Sequence, residues 1–183
     1  ASVTTPTSDG TGGVVTWTYT LSNAAVQFLA VGETITETYS VMISDGNGTV
    51  TQNIEVVITG QNDAPVALAV AAAADEDGPA ITVSADFTDV DTGDTFTFAV
   101  DTTGTAGSVV NNNDGTFSYD PNGQFESLAA GATATDTFSY TVTDNNGASS
   151  TETVTVTITG QNDAPVALAA AAAADEDGPA ITV

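Results

Sequence analysis

Twenty-four Asp and Glu residues and not one Lys, Arg or His are spread over the 183 residues of this chain, giving a formal net charge of −24. No side-chain salt bridge can form within such a chain. Its carboxylates must therefore lie apart on a solvated surface or gather round a cation that is not protein. Whole classes of function fall away with the missing cations. Nucleic-acid binding needs basic side chains to displace counterions from phosphates, and docking on an anionic membrane surface needs them as well. With no His, Cys, Lys or Arg there is no imidazole acid/base pair, no thiolate nucleophile, no Schiff base and no guanidinium clamp. A divalent metal is the natural neutraliser for what remains, and calcium is the ion that carboxylate and carbonyl oxygens serve best.

Charge does not prevent folding here. Hydrophobic residues make up 41% of the chain against 13% charged, which is too apolar for a disordered acidic tail. No stretch reaches the ~20 apolar residues of a membrane-spanning helix. Residues 1–20 lack the basic start and apolar run of a signal peptide, so the chain reads as an internal piece of something longer. An internal repeat supports this: QNDAPVALAVAAAADEDGPAITV at 61–83 recurs at 161–183 with a single change, Val70 to Ala170. Upstream, VGETITETYSVMISDGNG (31–48) answers AGATATDTFSYTVTDNNG (130–147), while Trp17 and Tyr19 answer Phe117 and Tyr119. The expected organisation is the later part of one repeat at 1–60, a linker at 61–63, a complete repeat at 64–160, and a linker with an opening strand at 161–183.

Within the complete repeat the apolar residues alternate with Thr, Ser and Asp at period two, which marks strands with one buried face. The sets are Ile81, Val83, Ala85 and Phe87; Phe96, Phe98 and Val100; Phe117 and Tyr119; Phe138, Tyr140 and Val142; and Val154, Val156 and Ile158. Turn signals separate them at Gly93-Asp94, Asn113-Asp114-Gly115, Asp120-Pro121-Asn122-Gly123 and Asn145-Asn146-Gly147. About seven short strands in about 100 residues predict an all-β, two-sheet antiparallel sandwich. The alanines 71–74 have helical propensity, but lying between Pro65 and the DEDG turn they are expected to form an edge strand or linker.

TGQNDAPV (59–66 and 159–166), DEDGPAITV (75–83), DVDTGDTFTF (89–98), WTYTLSNAAVQFLAVGETITETYSV (17–41) and TVTDNNG (141–147) together resemble one family. They look like the tandem repeats of giant bacterial surface adhesins of the RTX type, the Vibrio, Colwellia, Bradyrhizobium and Shewanella repeats and their cadherin-like relatives. The resemblance implies tandem Ig-like or cadherin-like sandwiches, export by a type I route to the bacterial surface or beyond, and a role in cell adhesion and biofilm. The modules would be extenders that hold an adhesive tip away from the cell.

The acidic loops carry the expected chemistry. DVDTGD supplies Asp89, Asp91 and Asp94 within six residues, the first two spaced to converge on one point while Gly93 turns the chain. If the strands run up and down in order, the loop holding Asp144 and the incoming linker with Asn62 and Asp63 lie at that same end. Glu76 and Asp77 then fall at the opposite end, near the outgoing Asn162 and Asp163. This distribution resembles cadherin interdomain calcium sites, with DVDTGD in place of the DxD loop and QNDAP in place of the linker. Asp45 corresponds to Asp144, but the loop that would complete its site lies before residue 1.

Plainer readings compete. Asp-Gly and Asn-Gly pairs form turns without metal, and Asp94, Asp120, Glu126 and Asp136 are read as surface or turn residues. Paired carboxylates are the minimal machinery of a glycosidase, but here they sit in repeated turn-rich segments, and Trp17 and Tyr19 follow the core periodicity; no enzyme is expected. Two other functions remain open: a calcium-dependent carbohydrate-binding module, and an extracellular filament or matrix in which other copies of the chain supply missing edges by strand addition. The expected partners are neighbouring repeats of the same chain and, on that last reading, further copies.

Overall fold

The computed structural model describes residues 2–5, 14–180 and 182. The described part of the first repeat holds β1 (Ser2–Thr5), β2 (Val14–Thr16), a 3-10 turn at Asn23–Ala25, and a long hairpin of β3 (Thr34–Ser44) and β4 (Thr49–Thr59). The complete repeat contains β5 (Val66–Leu68), β6 (Val70–Asp75), β7 (Ile81–Ser84), β8 (Asp86–Thr88), β9 (Phe96–Asp101), β10 (Ser108–Asn111), β11 (Thr116–Asp120), β12 (Thr133–Asp144) and β13 (Ser149–Thr159). No α-helix occurs among the described residues, and no helix is long and apolar enough to cross a membrane. The all-β sandwich expected from the alternation is the fold observed.

Two layers enclose one core. A four-stranded sheet in the order β6-β13-β12-β9 faces a three-stranded sheet, β10-β11-β7, with the small β5-β8 ladder beside them. Phe138, Tyr140, Val142, Val154, Val156 and Ile158 point inward from the first sheet to meet Val83, Phe117 and Tyr119 from the second. Phe117 packs edge-on against Phe138 at 5.8 Å, and Tyr119 stacks on Phe138 at 6.4 Å between ring centres. The Tyr140 hydroxyl reaches out of the core to the Leu68 and Asp86 carbonyls and accepts the Leu68 N–H, tying β5 and β8 to β12.

Two local expectations need correction. The sandwich is not wholly antiparallel, because β6 runs parallel to β13 from Val70 beside Val154 to Asp75 beside Thr159. Both strands start nearer the incoming linker and end at the outgoing one. A module that takes its chain in at one end and passes it out at the other has first and last strands pointing the same way. Pairing them forces the parallel ladder, and it makes the alanine run an edge strand. The apolar set from Ile81 to Phe87 is also not one strand. It breaks at Ala85, whose N–H donates to the Gly115 carbonyl at 2.8 Å; β7 pairs with β11 and β8 crosses to β5. Ile181 and Val183, part of the expected third opening strand, lie outside the described residues.

Asp136, expected to be a surface or turn residue, is instead buried within β12 and fixes the loop between β9 and β10. Its buried carboxylate accepts the Ala106 and Gly107 N–H groups and the Tyr119 hydroxyl, the latter at 2.9 Å. Gly107 is required there, since a Cβ would come within 2.8 Å of the Tyr119 ring and hydroxyl. Burial pushes the Asp136 carboxyl up, but the Gly107 and Ala106 amides, Tyr119 and the Thr137 N–H outweigh it and hold it below the usual range. The first repeat keeps this relation, with Tyr19 donating to Glu37 at 3.1 Å. A carboxylate held down on folding stabilises fully above its ordinary value of about 4 and loses that contribution as pH falls below it. Asp136→Asn turns an amide donor towards two backbone donors. It should cost about 1–3 kcal/mol, a fall in Tm of roughly 5–15 °C, and flatten the dependence of Tm on pH below about 4, as calorimetry across pH would measure.

Candidate metal centre

The linker between β4 and β5 is held by backbone contacts that explain its sequence. Gly60 donates to the Glu33 carbonyl at 2.8 Å, and a Cβ on it would run into the Leu29 and Ala30 carbonyls. The Thr92 N–H donates to the Phe28 carbonyl at 3.2 Å, so the DVDTGD loop touches the first repeat directly.

Three segments carrying acid and amide oxygens meet here: the linker itself, the DVDTGD loop and the Asp144 turn. The Asn62 amide donates to Asp144 Oδ2 at 2.9 Å, and the Asp63 N–H donates to Asp91 Oδ2 at 2.7 Å. Asp91 in turn donates its N–H to Asp89 Oδ1 at 3.0 Å. Asp89, Asp94 and Asp144 each bring a carboxylate oxygen within 4.8 Å of the others. Asp91 and Asp144 are only 6% and 5% exposed. Asn62, Asp89, Asp91 and Asp144 thus converge, while Asp63 enters through its backbone.

Turn-forming and clustering roles coexist in Asp144. One oxygen accepts the Asn146 and Ala148 N–H groups at 2.8 and 2.9 Å, and the other faces Asn62. The Asn62 amide and then the Ala148, Asn146 and Gly147 N–H groups hold its carboxyl low against the effect of burial. Asp45 caps its own turn in the same way, accepting Asn47 and Gly48 N–H groups. Asp94, expected to be a turn residue, belongs to the cluster instead. Burial, then the charges of Asp89, Asp91 and Asp144, push its carboxyl up.

Asn62 Oδ1, Asp89 Oδ2, Asp91 Oδ1 and Asp94 Oδ2 are buried with no hydrogen-bond donor. Each such oxygen costs about 1–3 kcal/mol, and the chain owns no cationic side chain to repay it. A hard divalent cation taking six to eight oxygens fits this donor set.

A second cluster lies at the outgoing end. Glu76 is 3% exposed; its N–H donates to the Thr159 carbonyl, and its Oε1 accepts the Gln161 N–H at 2.6 Å. Its other oxygen, Oε2, is buried without a donor. Asp77, Glu126 and Asp163 gather exposed carboxylates within 4.8 Å of one another, and burial together with Asp77, Asp163 and Glu76 raises the Glu126 carboxyl. Asn162 is exposed and turns its amide to the Asp163 carbonyl. Glu126 was not legible as a member, because the aligned position of the first repeat is Gln27. Asp120 stays a turn residue that accepts the Asn122 N–H.

The bacterial cadherin-like domain family matches residues 62–160. No curated protein matches the chain. Among solved structures, protocadherin gamma B7 extracellular cadherin domains 1-4 is similar at 18% identity and a TM-score of 0.53, covering 78% of this chain and 34% of that one. Protocadherin gamma B2 extracellular cadherin domains 1-5 is similar at 17% identity and a TM-score of 0.50, covering 78% and 27%. The chain thus spans about a third of the length of these structures, and at such identity the likeness is one of fold.

Repulsion at the linker cluster makes a measurable claim about the metal-free protein. Asp94→Asn removes the charge whose ionisation Asp89, Asp91 and Asp144 oppose, so in excess chelator the variant should melt above the parent. A lower melting temperature would show that the cluster is not strained by its own charge.

Proposed function

The chain belongs to the bacterial cadherin-like domain family, and on that premise we propose that its repeats are calcium-stiffened extender modules of a large secreted bacterial surface adhesin. Modules of this family are adhesion and structural units, not enzymes. The observation that carries the reading is the set of four buried, donorless oxygens of Asn62, Asp89, Asp91 and Asp94 where one repeat joins the next.

Asn62, Asp89, Asp91, Asp94 and Asp144 would hold calcium at the incoming junction, with Asp63 fixing the linker to Asp91 through its backbone. Glu76, Asp77, Glu126 and Asp163 would serve the outgoing junction, and Asn162 would have to turn inward to join them. The ion supplies positive charge that this chain lacks. The residues supply the mechanical link: linker, DVDTGD loop and Asp144 turn come from separate segments of one sandwich, and Thr92 touches Phe28 of its neighbour. Neutralised, these segments lock together; with their charge restored they repel. Pro65 is fully buried and restricts the linker further. Repetition suits a spacer, whose function grows with copy number, and millimolar extracellular calcium would keep an array of such repeats extended. This is the basis for placing the protein outside the cell, in adhesion and biofilm.

A ligand bound only by the folded state stabilises it by RT ln(1 + [L]/Kd), roughly 2.7 kcal/mol at a hundredfold excess over Kd. Millimolar calcium should therefore raise Tm by several degrees over chelator. Asp89→Ala with Asp91→Ala should leave the sandwich folded and remove the calcium heat at this junction in titration calorimetry, whereas Asp120→Ala should bind as the parent does. Undiminished binding in the double variant would refute the ligand assignment, and identical melting in calcium and chelator would refute the metal.

A further inference from the structure

The hairpin that carries Asp144 has a turn one residue longer than its counterpart in the first repeat. Asp144 lies 99 residues after Asp45, whereas Thr159 lies 100 after Thr59, so one residue has entered between them. In the first repeat the Asp45 N–H donates to the Gly48 carbonyl across Gly46 and Asn47, with Gly46 at φ +88°. In the complete repeat the Asp144 N–H donates to the Ala148 carbonyl at 3.0 Å across Asn145, Asn146 and Gly147, with Gly147 at φ +90°. Both are ordinary hairpin closures, glycine leading the two-residue form and taking the last, left-handed position of the three-residue form. The strands do not demand the longer turn. The two hairpins pair over the same length, Thr34 beside Thr59 to Ser44 beside Thr49 and Thr133 beside Thr159 to Thr143 beside Ser149.

Capping does not use the Asn145 side chain either, because Asp144 Oδ1 takes the Asn146 and Ala148 N–H groups. Asn145 reaches instead to the DVDTGD loop, where its Oδ1 accepts the Thr95 N–H at 2.9 Å. This bond takes over where the ladder ends: β9 pairs with β12 as far as Phe96 beside Asp144, and a side chain makes the next rung. Thr95 directly follows Asp94, whose Oδ2 is buried without a donor. Asp91 in the same loop is 6% exposed, and its Oδ1 has no donor. The other backbone bonds of the loop run within it, from Asp91 to Asp89, or out to the linker and the first repeat, at Asp63 and Phe28.

We propose that Asn145 is a positioning residue of the incoming junction: by holding the Thr95 backbone it sets Asp94 beside Asp89 and Asp144, so that their oxygens converge on one divalent cation. This role rests on the calcium reading above, whereas the clamp on the loop does not.

Charge explains why an asparagine stands there. Its carbonyl oxygen accepts a backbone N–H while its NH2 group still offers donors, and it adds no negative charge. Burial, Asp89, Asp91 and Asp144 push the Asp94 carboxyl up, and the Asn145 side chain works against them. In a chain without Lys or Arg, a neutral amide is the side chain that can donate to crowded carboxylates, as Asn62 does to Asp144 at 2.9 Å. Gly46, which follows Asp45 in the first repeat, has no side chain with which to do this.

Amide hydrogen exchange and calcium titration calorimetry on the 183-residue chain test the role with Asn145→Ala and Asn145→Asp, at a position exposed enough that neither disturbs the core. In chelator, Asn145→Ala should speed exchange of the Thr95 amide several-fold and leave that of Ala148, which Asp144 holds, unchanged. Asn145→Asp retains the acceptor and should keep Thr95 protected. In calcium, Asn145→Ala should weaken binding at this junction roughly threefold to tenfold, the worth of one hydrogen bond, and Asn145→Asp should not weaken it. A residue that served only the turn would change Ala148 and leave Thr95 and the affinity alone. Unchanged Thr95 exchange in Asn145→Ala, or calcium binding equal to the parent's, overturns the proposal. Absence of calcium heat in the parent would overturn the metal reading and this role with it; faster Thr95 exchange in Asn145→Ala alongside would show that the failure lies in the metal and not in the clamp.

Discussion

A buried carboxylate oxygen with no donor is unstable by itself, and four buried side-chain oxygens in that condition sit beside one linker here. Most proteins would place a lysine or arginine among them. This chain has none, so beyond hydrogen bonds such as Asn62 to Asp144 and Asp63 to Asp91 the like-charged linker, DVDTGD loop and Asp144 turn have no internal reason to stay together. On the proposed reading an external cation supplies that reason, which makes junction geometry a function of the medium and leaves the sandwich itself independent of it. The separation is visible in the hydrogen bonding: the aromatic core and the Asp136 latch are satisfied within the complete repeat, whereas the unsatisfied oxygens lie at its two ends.

The end-to-end arrangement follows from chain direction. Entry near Asn62 and exit near Gln161 require first and last strands that run the same way, and β6 on β13 is the result. The same choice puts β6, in the opening segment of the complete repeat, on a sheet edge.

Much of this was legible in the sequence, because period-two alternation reports burial directly. Phe138, Tyr140, Val142, Val154, Val156 and Ile158 are all buried as the pattern required. Less was legible where a strand changes sheets: Ile81 to Phe87 keeps its alternation across the break at Ala85, so periodicity alone could not reveal it. The convergence of Asn62, Asp89, Asp91 and Asp144 followed from counting strand directions. Asp94 and Glu126 were missed for different reasons. Asp94 follows Gly93 in a sequence that also suits a plain turn, and Glu126 lies in a loop far in sequence from its neighbours Asp77 and Asp163. Three-dimensional proximity of like charges leaves no local trace.

Because the chain contains no cysteine, two spin labels can be placed at will. Thr38→Cys on β3 and Thr157→Cys on β13 put labels on exposed strand positions on either side of the incoming junction. Pulsed electron spin resonance on dilute protein then reads the distance between the repeats directly. A single narrow distance in calcium that broadens in excess chelator is the predicted result. Distributions of equal width in the two solutions would contradict a calcium-stiffened junction.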